Sequence, residues 1–327
     1  MITIIGGSGF IGTRLSLRLS LSKTLFQIVD KVPSSFFPEK VLSADIRLPI
    51  SISFPREPSA LINLVAEHRD DVRPLNLYDE VNVDGARNVC DLARARGVNK
   101  IIFTSSVAVY GFAPLGTDEL GAIAPFSDYG RTKWEAEQIY KEWQAEDQQN
   151  RTLVIIRPTV VFGERNRGNV FNLLRQIAFG KFVMVGDGLN RKSMAYVENV
   201  AAFLEYSLDF KPGVHLYNYI DKPDFSMNTL VAHVNKLLGR SSEIKFRLPF
   251  SLGLLIGSGF DLVAKITGKN FPISAIRVKK FCANSVYESA IESIGFIPPV
   301  PLMDAIEKTV RFEFIEDHKN EQVFYSE

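Results

Sequence analysis

Tyr129 and Lys133 stand four residues apart in Tyr129-Gly130-Arg131-Thr132-Lys133, a spacing that stacks an ammonium group one helical turn from a phenol. A free tyrosine ionises near pH ~10, too high for proton exchange at neutral pH. A neighbouring cation favours the phenolate, so the pair reads as a proton-transfer device. Upstream, Ser105 and Ser106 open the stretch Ser105-Ser106-Val107-Ala108-Val109-Tyr110-Gly111 directly after the apolar run Ile101 to Thr104. That places two hydroxyls at the carboxyl end of a predicted strand, the edge where open α/β sheets bind ligands.

A second cluster, Gly6-Gly7-Ser8-Gly9-Phe10-Ile11-Gly12, lies between the strand-like run Ile2 to Ile5 and a segment with Ile11, Leu15 and Leu19 on one helical face. Without Cβ atoms, Gly6 and Gly9 permit a tight turn and the close approach of a pyrophosphate to backbone N–H groups at a helix N-terminus. Asp30 ends the next strand-like run, eighteen residues past Gly12. A carboxylate there accepts hydrogen bonds from both adenosine ribose hydroxyls and repels a 2′-phosphate, which favours NAD over NADP. Lys31, next in sequence, works the other way.

The elements that must position these groups follow a βα rhythm. Short β-branched runs at Ile2 to Ile5, Phe26 to Val29, Leu61 to Val65, Ile101 to Thr104 and Leu153 to Ile156 each lead into a helical stretch or a turn. This predicts an α/β chain with a Rossmann-type, doubly wound parallel sheet. Gly97, Gly180 and Gly239 read as helix stops. Beyond Gly163 the loops lengthen and prolines multiply, so residues 1–163 are expected to form the dinucleotide-binding domain. Residues 164–327 are expected to form mainly a smaller α/β substrate domain, with segments near 195–225 returning to the first.

With 327 residues and 46% hydrophobic content the chain can bury a large core, while 38 basic against 37 acidic residues give no global attraction to nucleic acid or anionic membranes. Cys90 and Cys282 are too far apart in sequence to suggest a metal site or a disulfide framework, and His68, His215, His233 and His318 form no metal pattern. No signal peptide is expected, because Met1 leads straight into the strand-like run Ile2 to Ile5 without a basic n-region. The apolar stretch 248–263 falls short of the ~20 residues of a membrane span and is expected as a buried or substrate-domain helix. A protein of the cytoplasm, without a membrane span, is the expectation. Asp70-Asp71 reads as loop surface and the polar tail from Glu316 as a fraying end.

Taken in order along the chain, the glycine loop, Asp30, Asp45-Ile46, Leu64-Val65-Ala66, the Asn82 to Gly85 segment, Ser105-Ser106-x-x-Val109-Tyr110-Gly111, Tyr129/Lys133 and Arg157-Pro158 resemble the extended short-chain dehydrogenases/reductases, the NAD-dependent epimerase/dehydratase family. The resemblance implies that Ser106 hydrogen-bonds the reacting oxygen, that Tyr129 shuttles its proton and that Lys133 also holds the nicotinamide ribose. It places Asp45 and Ile46 beside the adenine. Leu64, Ala66, Asn82 and Pro158 would line the cofactor cleft with Gly6, Gly9, Phe10, Ile11 and Gly12. By analogy, the helix from Tyr78 to Ala95 and the one starting at Tyr129 would pack against the same pair in a second copy, as a homodimer.

Val107-Ala108 stands where family dehydratases carry an Asp-Glu pair, and no glutamate or cysteine replaces it as in decarboxylating or fucose-forming relatives. Without further acid/base groups, redox at a single carbon is expected. Asn169, Arg191 and Lys192 fall where family members touch a nucleotide diphosphate or sugar, although an arginine–aspartate pair is replaced by Lys192-Ser193 and a sugar-facing asparagine by Val160. The leading expectation is an NAD-dependent 4-epimerase of a UDP-hexose or UDP-N-acetylhexosamine, serving polysaccharide synthesis. A reductase of a 4-keto (6-deoxy) sugar nucleotide, a non-sugar ketone reductase and an inactive cofactor-binding protein stay open.

Overall fold

A computed structural model describes residues 1–69, 72–244, 246–268, 274–318 and 321–325; the Asp70-Asp71 pair lies outside the described residues. The first half runs β1 (Ile2–Ile5), α1 (Phe10–Leu21), β2 (Phe26–Asp30), β3 (Val41–Ser43), β4 (Ala60–Asn63), α2 (Gly85–Ala95), β5 (Lys100–Thr104), α3 (Asp128–Ala145) and β6 (Thr152–Pro158). These strands, joined by a later one, form a seven-stranded sheet in the order β10-β6-β5-β4-β1-β2-β3. Every pairing in it is parallel. Parallel strands are covered on both faces, which is why continuous apolar runs rather than alternating ones signalled them.

One face carries α2 and α3 over Leu61, Ile101, Phe103 and Leu153, with Val89, Ala136, Tyr140 and Trp143 filling the layer. The other carries α1 and α5 (Val197–Tyr206) over Ile4, Ile28, Ile62 and Val154, through Leu15, Leu19, Val200 and Phe203. Strand direction of travel reverses between β1 and β4, so the crevice above their carboxyl ends is the place where such a sheet takes a ligand. Gly97, Gly180 and Gly239 follow helix ends in left-handed conformations, with φ of +62°, +67° and +69°.

The remaining elements are β7 (Val160–Phe162), α4 (Asn169–Ala178), β8 (Met184–Val185), β9 (Arg191–Tyr196), β10 (Gly213–Tyr219), β11 (Asp221–Ser226), α6 (Met227–Leu237), β12 (Arg247–Leu248), α7 (Phe250–Thr267), α8 (Ala275–Cys282) and α9 (Leu302–Phe314). Strand β10 returns to the large sheet, pairing with β6 from Gly213↔Thr152 to Tyr219↔Pro158. Strands β11, β9 and β7 form a second sheet, and α4, α6 and α9 pack on it around Leu174, Leu230, Val234 and Ile306.

Two expectations need correcting. The described part of the tail does not fray: Phe324 N–H donates to the Arg165 carbonyl at 2.8 Å, Arg167 N–H donates back to Phe324 at 2.7 Å, and the Phe324 ring sits 5.9 Å from that of Phe10. Nor is the apolar helix buried. Helix α7 extends to Thr267, and Gly253 and Gly257 are its buried residues. By length and composition it suffices to cross a membrane.

Candidate active site

The glycine loop is fixed by close backbone approach. Gly6 has φ +81°, and a Cβ on it would stand 2.8 Å from Val65 Cγ2; a Cβ on Gly12 would stand 2.5 Å from Gly7 Cα. Gly9 precedes α1 without a side-chain cap, and no acidic residue occupies the first turn. The helix therefore presents backbone donors with its positive dipole end to the crevice. Asp30 sits opposite: Ser8 N–H donates to its Oδ2 and Val32 N–H to its Oδ1, both at 3.0 Å. Each oxygen keeps lone-pair capacity for a ribose hydroxyl. Together these residues fit a bound NAD. Calorimetric titration is expected to show NAD binding at least ~10-fold tighter than NADP, the cost of a lost hydrogen bond plus repulsion, with Asp30→Ala narrowing the gap. Equal affinities for wild type would remove Asp30 from this role.

Around the loop the expected cofactor residues divide. Leu64 and Val65 lie against Gly6, with Leu64 N–H donating to Ile5 O at 2.9 Å. Ala66 follows, its carbonyl beside the His68 ring, and Pro158 ends β6 in a buried position. Phe10 and Ile11 begin α1.

Three others are engaged elsewhere. Asp45 gives both carboxylate oxygens to Arg47, which holds its pKa below the ordinary range. Ile46 is a core side chain, 6% exposed, against the α2 start at Gly85. Asn82, expected beside the cofactor, lies in a π-helical turn, Asp79–Asp84. It accepts from Glu67 N–H at 2.9 Å and donates to Glu67 O and to Thr132 Oγ1, both at 2.9 Å. Its amide thus clamps the loop after β4 to α3.

The catalytic candidates converge where β5 ends. Ser106 caps a short 3-10 turn, Val107–Tyr110, through Ala108 N–H at 3.1 Å, and its hydroxyl lies near enough to Tyr129 to favour the phenolate. Gly130 makes that meeting possible, because a Cβ there would stand 2.5 Å from the Ala108 carbonyl. Lys133, 1% exposed, lies with its Nζ 4.4 Å from the centre of the Phe103 ring. The electrostatics differ from the expectation that lysine lowers the phenol. Burial pushes Tyr129 up, with Ser106 pulling the other way, and burial pushes Lys133 down to about 7 against the opposing charge of Glu137. Desolvation outweighs the neighbouring hydrogen-bonding and charged groups at both residues.

Glu137 went unread in the sequence. It extends the face Tyr129–Lys133 by another four residues, and that periodicity was the available signal. The carboxylate is 0% exposed. It takes Arg157 Nε at 2.8 Å and Nη2 at 2.6 Å, and Ser105 Oγ donates to it at 2.5 Å. Arg157 Nη1 continues to Tyr110 Oη at 2.7 Å, and Tyr110 donates to Asn218 at 2.8 Å. This network joins α3, β6 and β10 beneath the serine turn, and Ser105, just past β5, belongs to it.

Of the expected substrate residues, Asn169 opens α4 after Gly168 and is exposed, as is Arg191 at the start of β9. Lys192 is partly buried, donates its Nζ to Lys280 O at 2.8 Å, and is pushed down to about 8 by burial. Ser193 hydrogen-bonds Asp224.

A glycine loop facing a strand-end acid, with one tyrosine and one serine above the same sheet, defines an NAD-dependent enzyme that moves a proton at a single hydroxyl or carbonyl. Comparison with known proteins agrees. A profile described as the NAD dependent epimerase/dehydratase family matches residues 2–218, and the chain belongs to that family. It is 46% identical to N-acetyl-alpha-D-glucosaminyl-diphospho-ditrans,octacis-undecaprenol 4-epimerase of Escherichia coli O157:H7 over 100% of this chain and 99% of that protein. It is 26% identical to a UDP-glucose 4-epimerase of Vibrio cholerae over 95% and 94%. The fold is that of UDP-glucuronic acid 4-epimerase from Bacillus cereus, crystallised with NAD, at a TM-score of 0.71 and 18% identity over 95% and 97%.

Proposed function

We propose that this chain is a 4-epimerase of an N-acetylhexosamine carried through a diphosphate on a polyprenol, with Ser106, Tyr129 and Lys133 at the reacting carbon. The observation that carries the chemistry is the placing of Ser106 beside Tyr129 at a strand end whose next residues, Val107 and Ala108, offer no acid or base. Elimination at a neighbouring carbon lacks a proton carrier there, which leaves transfer at C4 alone. The end-to-end likeness to a lipid-diphosphate 4-epimerase supports this carrier over UDP. In this reading residues 1–163, with 195–225, serve the cofactor and the remainder serves the substrate. We also read α2 and α3 as the faces that pair two copies.

Tyr129, as phenolate, takes the C4 hydroxyl proton, and Ser106 donates a hydrogen bond to the same oxygen. Lys133, charged when protonated, steadies the phenolate. The glycine loop and Asp30 would hold NAD, which would supply the acceptor for the C4 hydride and its return. Arg191, Lys192 and Asn169 hold the diphosphate while the sugar turns its other face, after which Tyr129 returns the proton.

Incubation without added reductant is the test. NMR is expected to show C4 interconversion of a farnesyl- or undecaprenyl-diphospho-N-acetylglucosamine, faster than that of UDP-N-acetylglucosamine. Val160, 41% exposed on β7 where a sugar-facing amide was looked for, favours a second reading, the 4-ketoreductase. No interconversion, with stoichiometric NADH loss on a 4-keto-6-deoxy sugar nucleotide, would establish that one instead.

A further inference from the structure

Helix α7 is amphipathic the wrong way round for a soluble helix. Its two buried residues, Gly253 and Gly257, lie one turn apart on the inner face, where added Cβ atoms would meet Val185 Cγ1 and Ala275 N at 2.7 Å each. On the opposite face Leu252, Leu255, Ile256, Leu262, Val263 and Ile266 recur at three- and four-residue spacing. They are 43%, 69%, 39%, 60%, 44% and 75% exposed. An apolar stripe of this length, about 21 Å from Leu252 to Ile266 at 1.5 Å per residue, is not an ordinary monomer surface.

Its surroundings are cationic. Residues 247–282 contain Arg247, Lys265, Lys269, Arg277, Lys279 and Lys280 against a single acid, Asp261, whose carboxylate accepts Ala275 N–H at 3.0 Å. The first part of α7 is held by the body of the protein: β12 pairs with β8 before it, Gly253 meets Val185, and α8 packs back along it from Gly257. The helix is therefore laid on a surface instead of threaded through one. The end of α8 is joined to the strand expected to hold the diphosphate. Lys192 Nζ donates to Lys280 O at 2.8 Å, Asn190 Nδ2 to Phe281 O at 2.7 Å, and Arg191 N–H to Asn284 Oδ1 at 2.6 Å.

We propose that the outer face of α7, with the basic residues of α8, seats this protein in the interfacial layer of an anionic phospholipid bilayer. Apolar side chains enter the acyl boundary while lysines and arginines meet the phosphates, the combination by which in-plane helices bind membranes. Resting on the polyprenyl reading above, this docking places Arg191 and Lys192 next to the layer in which a diphosphate-linked polyprenol lies, so the sugar enters the cleft while its lipid stays in the bilayer.

Flotation of the full chain with vesicles tests it without any substrate. Wild type is expected to float with phosphatidylglycerol–phosphatidylethanolamine vesicles and at least ~5-fold less with pure phosphatidylcholine, an electrostatic difference that ~0.5 M salt reduces. The double variant Leu255→Glu/Ile266→Glu should lose at least ~10-fold of the bound fraction and keep its melting temperature and its turnover of a water-soluble short-chain substrate. Wild type that stays in the buffer layer, or a double variant that floats as well as wild type, overturns the proposal. So does sedimentation showing a wild-type dimer that the variant dissolves and vesicles do not displace. Flotation without epimerisation of any diphosphate-linked sugar would refute the proposed function alone; epimerisation of the short-chain substrate without flotation would refute the docking alone.

Discussion

Tyr129→Phe is expected to lower kcat by at least ~10²-fold, the usual scale for deleting a positioned general acid/base, while NAD affinity changes less than about threefold. The substitution removes one hydroxyl and keeps the ring, so the helix start and its approach at Gly130 are preserved. What disappears is the phenol oxygen beside Ser106, and with it the only proton acceptor the mechanism assigns to the C4 hydroxyl. Steady-state turnover and calorimetric titration of the same preparation separate the two effects. Near-wild-type turnover would transfer the proton step to another group.

Lys133→Met should do two opposite things: depress turnover by ~10²-fold or more and raise thermal stability. Burial pushes the lysine from 10.5 down to about 7, so between those pH values the unfolded chain binds a proton that the folded chain does not. Wild-type stability therefore climbs as pH rises from about 7 towards 10, and the whole penalty is present below pH 7. A displacement of that size corresponds to a few kcal/mol, at about 1.4 kcal/mol per pH unit. Methionine fills similar volume without the charge. Melts are expected to place the variant about 5 °C or more above wild type at pH 6, with the difference shrinking by pH 9. Equal melting at pH 6 would mean that the ammonium is accommodated without cost.

The sequence made the central strands legible because Ile4, Ile28, Ile62, Ile102 and Val154 are buried on one face of the sheet and Ile5, Val29, Leu61, Ile101 and Leu153 on the other, and parallel pairing writes itself as unbroken apolar runs. Strand β10 was not legible as a strand: Gly213 to Tyr219 mixes Val214, 46% exposed, with His215 and a buried Asn218, because it sits at the sheet edge. Glycine spacing revealed the cofactor loop, since missing Cβ atoms are a property of the chain itself. Which partner a polar side chain chooses is not such a property. Asp45 is taken by Arg47 two residues on, and Asn82 by Thr132 fifty residues away. Likewise apolarity announced α7 without saying which way it faces, a matter decided by Gly253 and Gly257 fitting against Val185 and Ala275.

The bond from Ser8 N–H to the Asp30 carboxylate couples two properties that an engineer would want to adjust separately. The carboxylate expected to discriminate between dinucleotides also ties down the turn in the free enzyme, so little ordering entropy remains to be lost when the ligand arrives. Replacing Asp30 to admit a 2′-phosphate would release that turn. Association would then carry the cost of freezing it, and a switch of preference made at this position alone should yield an enzyme that accepts both cofactors weakly. Restoring affinity would require a second anchor for Ser8, supplied from the loop after β2.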